Sequence, residues 1–480
     1  MEQEPTIELS VDHPAPESTS NSLWQELKNA VRGTEADYTQ IGIGKAVFLL
    51  AVPMILELIM ESTFAVVDIY FVSALGSSAV ATVGLTETYL FLLYSVGIGL
   101  AMAVTAIVAR RIGEKKKEQA AITAVQSVII AVVVSLPFAI VGILFAKDLL
   151  TFMGADQWAL EHGYRYTQWM LGGNAVIMLL FVINSIFRGA GDAAIAMRVL
   201  WIANGFNIVL DPILIFGLGP FPEMGIEGAA IATNIGRGIG VLVQLWTLFN
   251  GGKHIRVLRS QIHIHWPTIL NITRTSLGGV GQMIVGMTSW IFIMRIIAEF
   301  GSQAVAGATI ALRIMMFTMM PAWGMSNAVA TLVGQNLGAQ KPDRAERSVW
   351  VTGFWNMLFL GSVSIFYFLF GDRLVGIFTG EPEVISVGAS WLTIVSYSYF
   401  VYAWWMVAVQ AFNGAGDTRT PTKINVVFFW AIQIPLSYVM AKILKMGYTG
   451  VFWAIFISET AVGLFTLWLF TRGGWKKVQV

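Results

Sequence analysis

Apolar positions fall in twelve long stretches, approximately 44–74, 79–109, 119–146, 159–187, 194–217, 224–249, 267–299, 303–334, 346–371, 384–412, 421–443 and 448–471, separated by short polar or glycine-bearing turns. Runs such as Ser127 to Ala146 and Val351 to Phe370 are long enough to cross a hydrocarbon core of roughly 30 Å as helix. The alternating ten-residue pattern of a membrane β-barrel does not occur, and helices are the other way to satisfy backbone groups in lipid. The pattern predicts an all-α polytopic membrane protein with twelve transmembrane helices. Composition agrees: 56% of the 480 residues are hydrophobic and 12% charged, against about 25% charged in a soluble domain.

The few charges mark topology. The connections after even-numbered stretches are basic, with Arg110, Arg111 and Lys115 to Lys117 after the second, Arg188 after the fourth and Lys253, Arg256 and Arg259 after the sixth. Lys341, Arg344 and Arg347, then Arg419 and Lys423, then Arg472, Lys476 and Lys477 continue the series. The odd connections hold only Lys147, Arg373, Lys442 and Lys445, so the even connections and both termini are expected in the cytoplasm. Met1 to Ser22 is polar and lacks a signal-peptide core, which reads as an uncleaved disordered tail. Leu23, Trp24, Leu27 and Val31 then recur at helical spacing, as in a helix lying on the membrane or, alternatively, a solvated tail.

The chain repeats itself at an offset of 225 residues: Gly76-Ser77-Ser78-Ala79-Val80-Ala81 returns as Gly301-Ser302-Gln303-Ala304-Val305-Ala306. Phe187-Arg188-Gly189-Ala190-Gly191-Asp192 returns in the same register as Phe412-Asn413-Gly414-Ala415-Gly416-Asp417. A duplicated unit of six spans keeps one orientation, which predicts two pseudo-symmetric six-helix bundles related by an axis along the membrane normal, as in secondary transporters. The expected organisation is a tail and interfacial helix over 1–40, an amino-terminal lobe over 41–250, a cytoplasmic linker over 251–266, a carboxyl-terminal lobe over 267–472 and a tail over 473–480.

Ionisable residues inside the spans are the candidate chemistry, because each costs on the order of 2.5–3.5 kcal/mol by insertion scales. Glu57, Glu61 and Asp68 in the first span fall within a wedge of about 40°. This stripe reads as a proton or cation site, or else as side chains bonding neighbouring helices; Pro53, just before it, is a point for a helix bend. In the fifth span Asn207 and Asp211 lie one turn apart, and Pro212 leaves the Ile208 carbonyl without its helical donor. Amide, carboxylate and carbonyl oxygens, with the Thr233 hydroxyl of the sixth span, are donors that a hard cation such as sodium accepts. The alternative is a bend at Pro212 stapled by Asn207 and Asp211.

Arg237, Arg274 and Arg313 read as helix-pairing or lumen residues, the two Gly-Ala-Gly-Asp segments as turns between helices, and Glu87 and Glu459 stay unassigned. Trp404, Trp405, Tyr397, Tyr399 and Tyr402 read as belt or core, or else as the wall of a drug cavity. Five scattered histidines and no cysteine offer no resident metal site. No nucleotide-binding or catalytic motif is present, so no cofactor and no enzymatic activity is expected. A net charge of +1 gives no reason to expect a nucleic-acid partner.

Taken together, Val52-Pro53, Val67-Asp68, Gly189-Ala190-Gly191-Asp192, Asn207 with Asp211-Pro212, Gly228 to Thr233 and Val333-Gly334-Gln335-Asn336-Leu337-Gly338 resemble the multidrug and toxic compound extrusion (MATE) transporters. The resemblance implies two six-helix lobes in a V that export cationic drugs against inward sodium or protons. It assigns Asp68, Asn207, Asp211 and Thr233 to the cation or proton site and Pro53 to a bend coupled to its occupancy. Some members carry acids in spans seven and ten. Here span seven has only Glu299 at its outer end and span ten has none.

The expected function is therefore a sodium- or proton-coupled antiporter, a plasma-membrane monomer whose partners are small amphipathic cations and the lipid bilayer. A lipid-linked oligosaccharide flippase of the wider fold is the alternative, disfavoured because it would line its cavity with Arg and Lys. At the repeat offset Asp68 and Glu61 face Ile293 and Gly286, so ion coupling is expected in the first six spans only. Glu459, whose repeat partner is Arg237, is not expected to share in it.

Overall fold

The computed structural model describes residues 23–250 and 254–480, and among these there is no strand. Residues Leu23–Arg32 form a helix, α1. The expected tail over Met1 to Ser22 lies outside the described residues. Among the described residues, eleven helices are long and apolar enough to cross a membrane: Ile43–Ser73, Ser77–Gly113, Lys117–Phe152, Ala159–Ala190, Ala193–Phe216, Ile226–Asn250, Trp266–Ala298, Ser302–Gly338, Pro342–Gly376, Arg419–Ile443 and Tyr448–Thr471. Pro382–Ser396 and Tyr399–Ala415, bent by 61° at their junction, together supply the remaining one. Spans one to twelve below follow chain order, with the bent pair as span ten.

The sequence repeat is also a backbone repeat. Gly76 and Gly301 open spans two and eight with φ of 102° and 103°, values that only glycine adopts without strain. Gly191 and Gly416 close spans four and ten in the left-handed region at 93° and 90°. Each carries the same pair of closing bonds, Gly191 N to Arg188 O at 3.0 Å and Asp192 N to Phe187 O at 2.8 Å, matched by Gly416 to Asn413 and Asp417 to Phe412 at 2.9 Å each. Even Lys115 and Gln340, 225 apart, share φ of 59°. The two turns differ in one respect. Asp417 accepts the Thr420 N–H at 3.1 Å, whereas Asp192 makes no side-chain cap on span five.

Two large apolar cores follow the halves, and a smaller one joins span one to Ala328 and Leu332 of span eight. One core gathers side chains from Val72 to Ile272, including Phe187 and Ile183, and another gathers Ile293 to Val462 around Trp391 and Tyr399. Tyr399 and Trp405 belong to this second core, as the belt-or-core reading has it. At the termini end of the bundle, where the described residues begin and finish, the halves join through glycines. A Cβ on Gly113 would meet the Gln335 backbone, and one on Gly338 the Arg110 carbonyl. Deeper in, Gly99 meets Gly279 and Val280, and Gly324 meets Ile55. Helix backbones approach this closely only where side chains are missing.

Two straps cross the same end. The segment before span one lies on span nine, where Lys341 Nζ donates to the Thr39 carbonyl at 2.8 Å and Arg344 to those of Tyr38 and Ile41. In return, the segment after span twelve lies on span two, where Arg110 donates to the Val478 carbonyl and Arg111 to Val480 O at 3.0 Å. At the opposite end, Glu87 of span two and Arg313 of span eight are exposed, and they interact across the boundary between halves.

Candidate functional site

The acidic stripe of span one is real, but its three carboxylates have different partners. Glu57, buried, is 3.8 Å from the Arg188 guanidinium and accepts from Asn184 Nδ2 at 3.2 Å, while Asn184 Oδ1 takes a bond from Gln244 at 2.6 Å. Glu61, one turn on, accepts from Asn204 Nδ2 at 3.0 Å and pairs with Arg237 at 3.3 Å. Asp68, half-buried, lies within hydrogen-bond reach of Asp211 and in the field of Arg237 and Glu87. Spans one, five and six thus bring together Glu61 and Asp68 beside the Arg237 guanidinium, with Asp211 against Asp68.

Span five supplies the other wall. Asn204, Asn207 and Asp211 stand at i, i+3 and i+7, on one face of the helix, and all three are buried. Asn207 connects the acids to span six: with its nitrogen toward Asp211 it donates to Oδ2 at 2.7 Å and Oδ1 at 3.1 Å, and its oxygen accepts from Thr233 Oγ1 at 2.9 Å and Thr233 N at 3.0 Å. The close approach of spans five and six depends on Gly236 and Gly240, whose missing side chains leave room for Ala203 and Asn207. Spans one and five both run unbroken through Pro53 and Pro212, so each proline removes one backbone donor without ending its helix.

The structure therefore brings Asp68, Asn207, Asp211 and Thr233 together and sets Glu61 at their edge. Glu57 is separate, taken up by Arg188. The residues that sequence reasoning missed are Asn184, Asn204 and Tyr94, the last of which interacts with Arg237. Asn204 was detectable, since it extends the polar face of Asn207 and Asp211 by one turn. Arg237, read as a helix-pairing or lumen residue, is 7% exposed and serves as the internal counter-charge to Glu61 and Asp68.

Two carboxylates in contact at this depth repel unless a proton or cation lies between them. The donors are oxygens throughout, a set that suits a proton or a hard monovalent cation. Among the described residues no cluster of three or more His, Asp or Glu side chains has the geometry of a metal site.

The family model MatE matches residues 53–213 and 256–439, one segment in each half. The chain belongs to the MATE family. It is 26% identical over 438 residues to a probable multidrug resistance protein NorM of Thermotoga maritima, covering 91% of this chain and 94% of that one. It is 23% identical over 435 residues to a FAD transporter of Shewanella oneidensis, covering 90% and 95%. Among solved structures, one described as the outward-facing conformation of a multidrug resistance MATE family transporter superposes with a TM-score of 0.85 at 25% identity, over 93% of this chain and 99% of that one. The protein is accordingly a multi-pass MATE membrane transporter, and the twelve-span fold is that of its family.

Proposed function

We propose that this MATE transporter is an antiporter that exports amphipathic cationic compounds by alternating access, driven by proton or sodium entry at Asp68 and Asp211. The contact between these two carboxyl groups carries the reading. Empty of an ion, the pair is repulsive and spans one and five are pushed apart; with a proton or sodium between them, the pair is attractive and the spans are drawn together. Ion occupancy is thereby converted into helix packing. Asn207 donates to Asp211 in the arrangement above, so its oxygen is not offered to an ion, which favours a proton; sodium would require the amide to turn over.

An acidic chamber with one buried Arg237 attracts a cation and is set against the flippase alternative, which needs several basic groups. Contact at the termini end and exposure of Glu87 and Arg313 at the other support an outward-open reading, with the termini cytoplasmic by the positive-inside rule and the protein in the plasma membrane. One charge crossing about 100 mV yields roughly 2.3 kcal/mol, enough for a gradient of approximately 50-fold. The test is drug flux in proteoliposomes under a sodium gradient and then a proton gradient. Flux that follows neither gradient overturns ion coupling.

A further inference from the structure

Span ten is broken where span twelve places its one deep carboxylate. The break falls at Tyr397 and Ser398, between Pro382–Ser396 and Tyr399–Ala415, and it carries the 61° bend. Gly173, 225 residues earlier, separates the two helical segments of span four, so an interruption at this point belongs to the repeated unit. In the second half a carboxylate faces it. Glu459 is 6% exposed, and its Oε2 lies 2.6 Å from the hydroxyl of Ser398, which is fully buried.

That hydroxyl is also 2.7 Å from the Val395 carbonyl, which receives the Ser398 N–H at 3.0 Å as well. A serine hydroxyl has one hydrogen and can donate to one of the two oxygens. Both contacts are hydrogen bonds only if Glu459 brings a proton of its own. Glu459 then donates to Ser398 Oγ, and Ser398 donates to Val395 O, closing the broken turn. Without that proton the hydroxyl turns to the carboxylate, a stronger charge-assisted bond. Val395 O then loses the hydroxyl.

The titratable groups facing Glu459 are the phenols of Tyr399 and Tyr402 on span ten. Among the described residues no Lys, Arg or His from spans seven, ten or eleven pairs with it. An ionised Glu459 would thus stand uncompensated inside the bundle.

We infer that Glu459 is a proton-binding site whose occupancy, read through Ser398, holds the bend of span ten, separately from the ion site of the first half. When the proton leaves for water, the Ser398 bond to Val395 is lost and the bend opens. Gln at 459 can still donate to Ser398 and should imitate the protonated state at every pH.

The chain has no cysteine, so a pair of spin labels introduced at the exposed positions Glu383, at the start of span ten, and Arg419, just past its end, follows the length of span ten in purified protein. The inference requires this distance to lengthen as pH rises in the otherwise native protein, to stay at its short value in Glu459→Gln, and to lose most of its pH response in Ser398→Ala. Infrared difference spectra across the same pH step should show a carboxylic C=O band that Glu459→Gln removes. A distance that titrates identically in Glu459→Gln, or a spectrum unchanged by that substitution, overturns it. Neither readout uses transport, so failure here is distinguishable from failure of the antiport reading.

Discussion

The Gln335 amide of span eight donates to the Gly189 carbonyl of span four at 3.0 Å, and that bond crosses from one half of the molecule to the other. Thr331 repeats the crossing one turn earlier, donating to the Arg188 carbonyl at 2.9 Å. Both bonds sit among the glycine contacts of the termini end, so this end is held by backbone geometry as well as by the two straps.

Gly113→Ala and Gly338→Ala should therefore push the halves apart at that end, because each Cβ would run into backbone that cannot rotate away. Spin labels introduced at Lys116 and Arg347, both exposed, give the distance to follow. A longer, broader distribution is expected in both variants. An unchanged distribution would mean that the contact does not control the separation.

Asp68→Asn keeps the shape of the side chain and supplies a permanent donor to Asp211, so the pair no longer responds to an ion. The variant should insert and fold yet lose at least tenfold in gradient-driven export, about 1.4 kcal/mol or more in the driven step. Export at the native rate in proteoliposomes would refute the assignment.

The two halves share a fold but not their carboxylates, so equivalent substitutions should differ in severity. Asp211→Asn should abolish coupled export at equal expression, while Glu459→Gln, which retains a donor to Ser398, should leave it within about twofold. The reverse order would place coupling in the second half.

Arg237 is the cation that Glu61 and Asp68 face. Removing the buried guanidinium leaves the half-exposed Glu61 without its counter-charge. Arg237→Met should lower the thermal midpoint in detergent, and adding Glu61→Gln should recover part of the loss. Purely additive effects would show that the 3.3 Å pair does not couple the two residues.

Orientation is tested by labelling. A cysteine at Lys116 should react only from the cytoplasm and one at Ser77 only from outside, as the basic even-numbered connections require. Reversed labelling would invert the outward-open reading.

Much of this protein is written locally. Span number and length follow from apolar runs, because lipid demands internally bonded helices wherever the chain stays apolar for 18 residues or more. The duplication follows from glycines at Gly76, Gly191, Gly301 and Gly416, whose positive φ only that residue tolerates, so the sequence must keep them in register. The stripe of Glu57, Glu61 and Asp68 was likewise legible, since helical periodicity alone sets which residues share a face. What the stripe does was not. Glu57 and Asp68 look alike in sequence, and only packing gives one to Arg188 and the other to Asp211, because partners on spans four, five and six arrive by tertiary contact. Arg237 and Glu459 were equally ambiguous as lone charges in apolar helices. The fold alone decided that Arg237 faces Glu61 and Asp68 while Glu459 faces a serine at a broken turn, since a buried charge takes its role from what lies across the helix interface.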